Sequence, residues 1–130
     1  MKFPLAAALL VLLGCSHATR EPREAAPSRD SDLITAEELG GATGSTVYDA
    51  VRQLRPMWMM RSRPTAVLQR SQSQLIVYVD GIFHAAGIES LRTIPIRAVA
   101  SVRYFSPGNA EARFGTGHLL GAIEVVTVPR

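Results

Sequence analysis

Apolar residues follow three different patterns along the 130-residue chain. Phe3 to Leu13 form an unbroken apolar run, FPLAAALLVLL, whereas residues 16–31 are mostly polar and show no apolar period. From Leu33 onwards, apolar positions recur at the spacings of helices and strands. A segment without periodic apolar positions buries too little surface to offset the entropy of ordering it. We therefore predict three parts: a signal segment at 1–14, a flexible tether at 15–31 and one domain at 32–130.

The domain is predicted to begin with two short helices. Thr35 and Glu38 form a capping-box pattern that starts the first helix, and the pair of glycines at positions 40 and 41 ends it. The second helix starts at Ser45 or Thr46, and Pro56 ends or kinks it. Apolar side chains recur along it at helical spacing: Val47, Ala50, Val51 and Leu54.

Strands are predicted later in the chain. The sequence LIVYV at 75–79 is β-branched and aromatic enough for a buried strand, and Asp80-Gly81 is a tight-turn signal after it. Residues 82–83 can turn back as a short partner strand. Two further strands are predicted at 101–105, where apolar and polar residues alternate, and at 122–128.

Short helical segments are predicted between these strands, namely 90–94, 95–98 and 107–114. The last has a proline in its first turn and is closed by Gly115. The polar sequence of residues 61–74 indicates an exposed loop, with room for a short strand at 66–68. This order of elements favours the α+β class: a small mixed β-sheet with short covering helices.

The core of that sheet is predicted from its β-branched positions. It should contain one set of aliphatic side chains: Val77, Val79, Val102, Ile123 and Val125. Gly121, just before the last strand, indicates a close approach of another backbone segment.

The N-terminal run has the features of a secretory signal. It follows Lys2 and is shorter than the about 20 apolar residues that a membrane-spanning helix needs. It ends in Leu12, Leu13, Gly14 and Cys15, which resemble the lipobox of bacterial lipoproteins. The resemblance implies that Cys15 receives a diacylglycerol and becomes the acylated N-terminus after cleavage. The alternative is that Cys15 is an ordinary small residue of the signal segment.

The resemblance also implies a location. Ser16 stands where an aspartate commonly retains such proteins in the inner membrane, so we expect an outer-membrane lipoprotein whose domain faces the periplasm. Several acyl chains hold a protein stably on a membrane, whereas one chain anchors it only marginally.

Charge and cysteine content narrow the classes of partner. Cleavage removes Lys2, one of 14 basic residues, against 11 acidic ones, so the mature chain stays only weakly positive. A nucleic-acid-binding domain needs a clustered basic face, so we expect no nucleic-acid partner. An intrachain disulfide is excluded because Cys15 is the only cysteine.

The sequence holds few candidates for catalysis or metal binding. His17, His84 and His118 lack the close spacing of metal ligands, and the glycines at 115, 117 and 121 precede a strand rather than the helix of a dinucleotide site. Asp80 and His84 could act as an acid–base pair, but aspartate before glycine more often forms a turn. We therefore expect no catalytic residue, no metal and no cofactor.

The densest soft apolar cluster lies just after Pro56 and comprises Met57, Trp58, Met59 and Met60. Trp and Met supply large, adaptable contact area, and neighbouring arginines can form a polar rim. The candidate partner surface is therefore Arg55, Trp58, Met59, Arg61 and Arg63. The alternative is that Trp58 and one or two of the methionines cap the sheet core.

Six segments of the domain carry a further resemblance: ITAEEL at 34–39, YDAVRQLRPMW at 48–58, VYVDG at 77–81, SLRTIP at 90–95, VASVRYFSPGNAEARFG at 99–115 and GAIEVVTV at 121–128. In this order they resemble the plug domain of TonB-dependent outer-membrane receptors, and more closely the short free-standing plug-like lipoproteins. The resemblance implies a plug-like α+β fold. Because the chain ends just after its last plug-like strand, without a barrel, we do not expect it to transport anything by itself.

Two functional hypotheses follow from these observations. The first is a non-catalytic binding or accessory module, held on the membrane by its lipid and contacting an outer-membrane protein partner. The second is a periplasmic enzyme, or a protein that binds a small ligand or metal, on a similar scaffold. The sequence shows no converging set of polar residues for the second, so it favours the first.

Overall fold

The computed structural model describes residues 30–61 and 74–129. The predicted signal segment, Cys15 and most of the tether lie outside the described residues. The same holds for Arg63 and for the strand considered at 66–68.

The described residues form a mixed sheet of five strands: β1 (Leu33–Thr35), β2 (Ile76–Val79), β3 (Ile82–His84), β4 (Val99–Phe105) and β5 (Ala122–Thr127). Their order across the sheet is β1-β4-β5-β2-β3. The neighbours β2 and β5 are parallel, whereas the other three pairs are antiparallel. The prediction of an α+β domain with a small mixed sheet is confirmed. The pairing of β1, whose residues were predicted only to open the domain, was missed.

The helices are short and lie on both sides of the sheet: α1 (Ala36–Gly40), α2 (Val47–Leu54), α3 (Pro56–Arg61) and α4 (Pro107–Phe114), with 3₁₀ helices at Gly87–Thr93 and Ile96–Ala98. Capping boxes start α1 at Thr35 and α2 at Thr46, so the choice between Ser45 and Thr46 is decided for Thr46. Pro56 ends α2 as predicted, but it also begins α3, which the sequence prediction lacked. Proline suits that first helical position because its φ angle is already helical.

One face of the sheet forms the core. Val77, Val102, Ile123 and Val125 are fully buried there as predicted, whereas Val79 is partly buried at the edge of the same cluster. The helices add the apolar side chains that close it, among them Leu39, Val51, Trp58 and Leu91. The registers Val77↔Ile123 and Val102↔Val125 bring residues far apart in the chain onto this one face.

The opposite face is covered in part by α4. Tyr78 of β2 lies opposite Glu124 of β5, and Phe114 at the end of α4 stacks on the Tyr78 ring. Ala110 of α4 is fully buried, which fits the close packing of this helix on the sheet. The sheet is therefore covered on both faces, by five short helical elements on the core side and by α4 on the other.

The predicted close approach at Gly121 is confirmed. Gly121 has a φ angle of 85°, and a β-carbon placed there would lie 2.2 Å from the carbonyl oxygen of Phe105. No other residue fits both the positive φ and the missing space. The turn at residues 115–121 can therefore fold back tightly against β4.

Candidate functional site

The predicted partner surface around Trp58 needs correction. Trp58 is only 2% exposed, and its ring stacks on Tyr104 of β4 with centroids 5.7 Å apart. A side chain buried in this way cannot contact a partner while the domain is folded, so the alternative, packing on the sheet core, is confirmed. The exposed apolar residues of α3 are Met57 and Met60 instead.

Arg55 also has an internal role. Its guanidinium donates hydrogen bonds to the backbone carbonyls of Ser31, Leu33 and Leu54 and contacts the Glu38 carboxylate at 3.1 Å. Only 15% of its side chain is exposed. Arg55 therefore links the N-terminal end of the domain to α1 and α2 through hydrogen bonds and an ion pair. It does not form the rim of an open surface.

Met59 and Arg61, the other two described members of the predicted surface, pack against residues of the same core. Met59 is partly buried against it, and the Arg61 guanidinium lies over the ring of Tyr104, 4.8 Å from its centre. The structure thus brings Arg55, Trp58, Met59 and Arg61 together around the packing of α3. It does not bring them together as an exposed patch.

An aromatic cluster lies on the opposite face of the sheet, and we define it by five residues: Tyr78, Phe83, Phe105, Phe114 and His118. The rings of Tyr78 and Phe114 stack at 4.0 Å with an interplanar angle of 9°. Phe83 meets Tyr78 edge-on at 6.1 Å, and Phe105 meets Phe114 edge-on at 5.5 Å. Such stacked and edge-on pairs add stability beyond the burial of their area.

His118 is held at both ring nitrogens within this cluster. Nδ1 lies 2.7 Å from the carbonyl oxygen of Gly115, and Nε2 lies 3.0 Å from the hydroxyl oxygen of Tyr78. A carbonyl only accepts hydrogen bonds, so Nδ1 carries the proton and, in the neutral ring, Nε2 accepts the Tyr78 hydroxyl proton. The side chain is 2% exposed. Sequence reasoning dismissed His118 because it tested only metal-ligand spacing, and no local pattern pairs residues 40 apart.

Charged residues border the cluster. The Arg113 guanidinium contacts both carboxylate oxygens of Glu124, at 2.9 and 3.0 Å, and lies 5.3 Å from the ring centres of Phe105 and Phe114. Glu124 is nearly buried, so this contact supplies the partner that its charge needs. Within residues 30–61 and 74–129, no group of three or more His, Cys, Asp or Glu side chains is arranged to hold a metal ion.

A groove of about 410 Å³ lies next to the cluster, between β3 and the turn that precedes β5. We call it the β3 groove, and its lining is Gln74, Leu75, Ile76, Phe83, His84, Ala85, Gly87, Gly117 and Leu119. None of these residues is an Asp, Glu, Lys or Arg. Phe83 and Leu119 are 57% and 61% exposed, and Ile82, which precedes Phe83, is also exposed. Neighbouring exposed apolar side chains of this size mark interaction sites on soluble domains.

Comparisons of the chain with protein-family models, with curated proteins and with solved structures find no match. In the part of the chain that the structure describes, no helix has the length and apolar character to cross a membrane.

Proposed function

We propose that this protein is a non-catalytic lipoprotein of the outer membrane that binds a membrane protein through the β3 groove. The observation that carries this proposal is the exposed, uncharged apolar surface formed by Phe83, Leu119 and the groove between them. Exposing such surface to water is unfavourable, and covering it on binding recovers part of that free energy.

The partner that best fits this surface is an extended, uncharged segment of an outer-membrane protein. β3 is an edge strand that follows a two-residue turn, and Ile82 pairs with Val79 across that turn. Backbone groups alternate in direction along a strand, so the N–H and C=O of Phe83 point away from β2. An extended segment placed there can add to the sheet edge, with its apolar side chains in the groove.

The sequence supports the membrane part of the proposal. The LLGC sequence ending at Cys15 resembles a lipobox, and the polar tether after it gives the domain reach. An anchored domain samples a thin layer at the membrane, so its effective concentration toward a membrane partner is high. Weak contacts at a short edge strand are then sufficient for binding. The resemblance of the six segments to a receptor plug domain supports a partner in the same membrane.

The proposal is tested by placing a photocrosslinking amino acid, p-benzoylphenylalanine, at Phe83 in the full chain within its own membranes. The matched control carries it at Met60, which is similarly exposed but lies on α3. We expect one protein to crosslink at position 83 and not at position 60. Mass spectrometry of the crosslinked peptide identifies that protein and the segment that touches the groove.

Binding is then measured with the two purified proteins. Phe83→Asp should weaken the affinity by about tenfold or more, because it places an unpaired charge in an apolar contact, whereas Met60→Asp should leave it within about twofold. Thermal unfolding of both variants checks that the fold persists. Equal crosslinking at the two positions, products with lipid alone, or full affinity of Phe83→Asp would overturn the proposal.

A further inference from the structure

The three tyrosines of the described chain have different surroundings. The Tyr78 hydroxyl is hydrogen-bonded to an imidazole nitrogen of His118. The Tyr104 hydroxyl instead donates a hydrogen bond to the backbone carbonyl of Leu120 at 3.1 Å. The rings of Tyr104 and Tyr48 each lie below a guanidinium: Arg61 over Tyr104 at 4.8 Å, and Arg92 over Tyr48 at 3.5 Å. These differences bear directly on how easily each phenol loses an electron.

We infer that Tyr78 is a redox site, which gives one electron to an external one-electron oxidant while its phenolic proton moves to Nε2 of His118. In this step the O–H bond of Tyr78 breaks and an N–H bond forms on His118. Tyr78 becomes a neutral phenoxyl radical, His118 becomes an imidazolium and the oxidant is reduced by one electron. Return of an electron from a reductant reverses both transfers.

The position of His118 makes Tyr78 easier to oxidise than the other tyrosines. A phenol that loses an electron becomes a strong acid and must release its proton, and the unprotonated nitrogen of a neutral imidazole can take it up. Nε2 already lies 3.0 Å from the phenol oxygen, and His118 itself is only 2% exposed, so the proton can pass directly between the two side chains. The Gly115 carbonyl can keep its hydrogen bond from the Nδ1 proton when the ring becomes positive. The site is therefore set up for both transfers without movement of either ring.

The other tyrosines lack this arrangement. A peptide carbonyl, the partner of Tyr104, does not take up a proton under ordinary conditions. A guanidinium over a ring is held by the negative face of that ring, and its charge opposes the removal of an electron. The guanidinium makes both Tyr48 and Tyr104 harder to oxidise than Tyr78, and the carbonyl partner adds to this effect at Tyr104.

The aromatic cluster gives an external oxidant access to Tyr78. Tyr78 is itself partly exposed, and it contacts Phe83, more than half of whose surface is exposed. Face-to-face stacking on Phe114 at 4.0 Å holds the Tyr78 ring in place. An oxidant that approaches this face of the sheet reaches Tyr78 at short range, while Tyr104 is buried in the core on the opposite face.

The inference is tested in the full chain with photogenerated tris(bipyridine)ruthenium(III) as the one-electron oxidant. Transient absorption follows the tyrosyl radical, and peptide mass mapping locates the oxidised residue. We expect the radical and its products at Tyr78 in preference to Tyr48, Tyr104 and Trp58. Tyr78→Phe should remove the main radical signal, whereas Tyr48→Phe and Tyr104→Phe should retain it.

The variant His118→Gln tests whether His118 acts as a proton acceptor or only as a packing residue. Glutamine keeps a polar, hydrogen-bonding side chain but does not take up the proton, so Tyr78 oxidation should slow by about tenfold or more. Oxidation of the unaltered chain should also slow in D₂O, and that isotope effect should be lost in His118→Gln. A merely structural role for His118 would change stability without moving the isotope effect.

Several results would overturn the inference. They are oxidation spread equally over the tyrosines, an unchanged rate in His118→Gln, or the absence of an isotope effect in the unaltered chain. If His118→Gln fails to fold, the isotope effect in the unaltered chain and the comparison of the three Tyr→Phe variants still decide it. None of these measurements depends on a partner at the β3 groove, so failure here leaves the proposed function untouched.

Discussion

Trp58 and Met60 lie two residues apart in α3 and have opposite environments. The helix turns Trp58 inwards onto Tyr104, whereas Met60 is 62% exposed. Both are apolar residues of one short cluster, so composition alone gives them the same role. Their difference comes from helix geometry: residues two apart on a helix point about 200° away from each other, so Met60 faces solvent when Trp58 faces the sheet.

Truncation should separate the two residues. Trp58→Ala is expected to lower the free energy of unfolding by about 3–5 kcal/mol, because it removes a large buried side chain and leaves a cavity. Met60→Ala should change it by less than about 0.5 kcal/mol. Equilibrium unfolding in urea measures both values. A loss for Trp58→Ala as small as that for Met60→Ala would contradict the buried position.

Asp80 is a second residue whose side chain acts beyond its local turn. Its φ angle is 50° and that of Gly81 is 80°, which forms the tight turn predicted between β2 and β3. Its carboxylate accepts hydrogen bonds from the backbone N–H of Thr127 at 2.8 Å and from the Thr127 hydroxyl at 2.7 Å. These bonds lower the pKa of Asp80 below its ordinary value of 3.8, with the backbone bond as the larger cause.

This lowered pKa predicts a pH-dependent part of stability. A carboxyl whose pKa falls on folding stabilises the fold above its unfolded pKa, and the contribution is lost as pH falls through the folded pKa. Asp80→Asn should therefore lower stability at neutral pH and reduce the loss on acidification below about pH 4, near the ordinary carboxyl pKa of 3.8. Urea unfolding between neutral and acidic pH measures this.

Thr127→Val supplies the matched variant for Asp80. It removes one of the two hydrogen bonds to the carboxylate and keeps the side-chain shape, so it should reproduce part of the effect of Asp80→Asn. The pKa of Asp49 is also lowered, mainly by the side-chain hydrogen bond to Thr46, and it should be unaffected by either change. Additive effects of Asp80→Asn and Thr127→Val would contradict a shared interaction.

At the scale of elements, helix starts are decided by local hydrogen bonds. The Thr46 hydroxyl accepts from the backbone N–H of Asp49, and the Asp49 carboxylate accepts from the backbone N–H of Thr46. Ser45 is also a good capping residue, so the sequence left the choice open. The structure selects Thr46, which completes the capping box with Asp49, and the helix that follows buries Val47, Ala50 and Val51.

Because Thr46 caps α2 and Ser45 does not, substitutions at these two neighbours should lower stability by different amounts. Thr46→Ala should cost about 1 kcal/mol of stability, because backbone donors at the start of α2 lose their partner. Ser45→Ala is the matched control and should cost less, since its side chain is not the cap. Urea unfolding distinguishes the two. Equal costs, or a larger cost at Ser45, would place the helix start elsewhere.

At the scale of the whole molecule, the N-terminal end of the described domain and the β3 groove lie at opposite edges of the sheet. Arg55 and Arg103 hold the chain at residues 30–33 beside β1, and β3 forms the other edge. In the proposed lipoprotein, a tether that joins the domain at the β1 edge would start away from the groove at the β3 edge. This arrangement suits a domain that is held on a membrane and binds a neighbour.

The proposed lipid anchor gives a prediction for the whole protein. Cys15→Ala should yield a chain without lipid that no longer partitions into detergent, because the acylated thiol is lost. Intact mass and detergent-phase partitioning measure both outcomes. Ser16→Asp is the control: it should keep the lipid and move the protein to the inner-membrane fraction. A Cys15→Ala chain that still carries lipid would refute the lipobox.

The sequence by itself determined most of the elements of this domain. Capping boxes at Thr35 and Thr46, the Asp80-Gly81 turn and the closure of α4 at Gly115 are local, because the groups that interact lie within a few residues. The aliphatic strands were also predictable, since a β-branched run in a small domain is stable only when buried. Four of the five predicted core residues are fully buried for this reason.

Only the tertiary structure decided which elements meet. Four features join residues that are far apart in the chain. They are the parallel pairing of β2 with β5, the pairing of β1 at the sheet edge, the burial of Trp58 and the hydrogen bond between Tyr78 and His118. Periodicity shows which face of an element is apolar, but it does not show the neighbour that covers it. That choice depends on the packing of all elements at once, and it places both the β3 groove and the aromatic cluster.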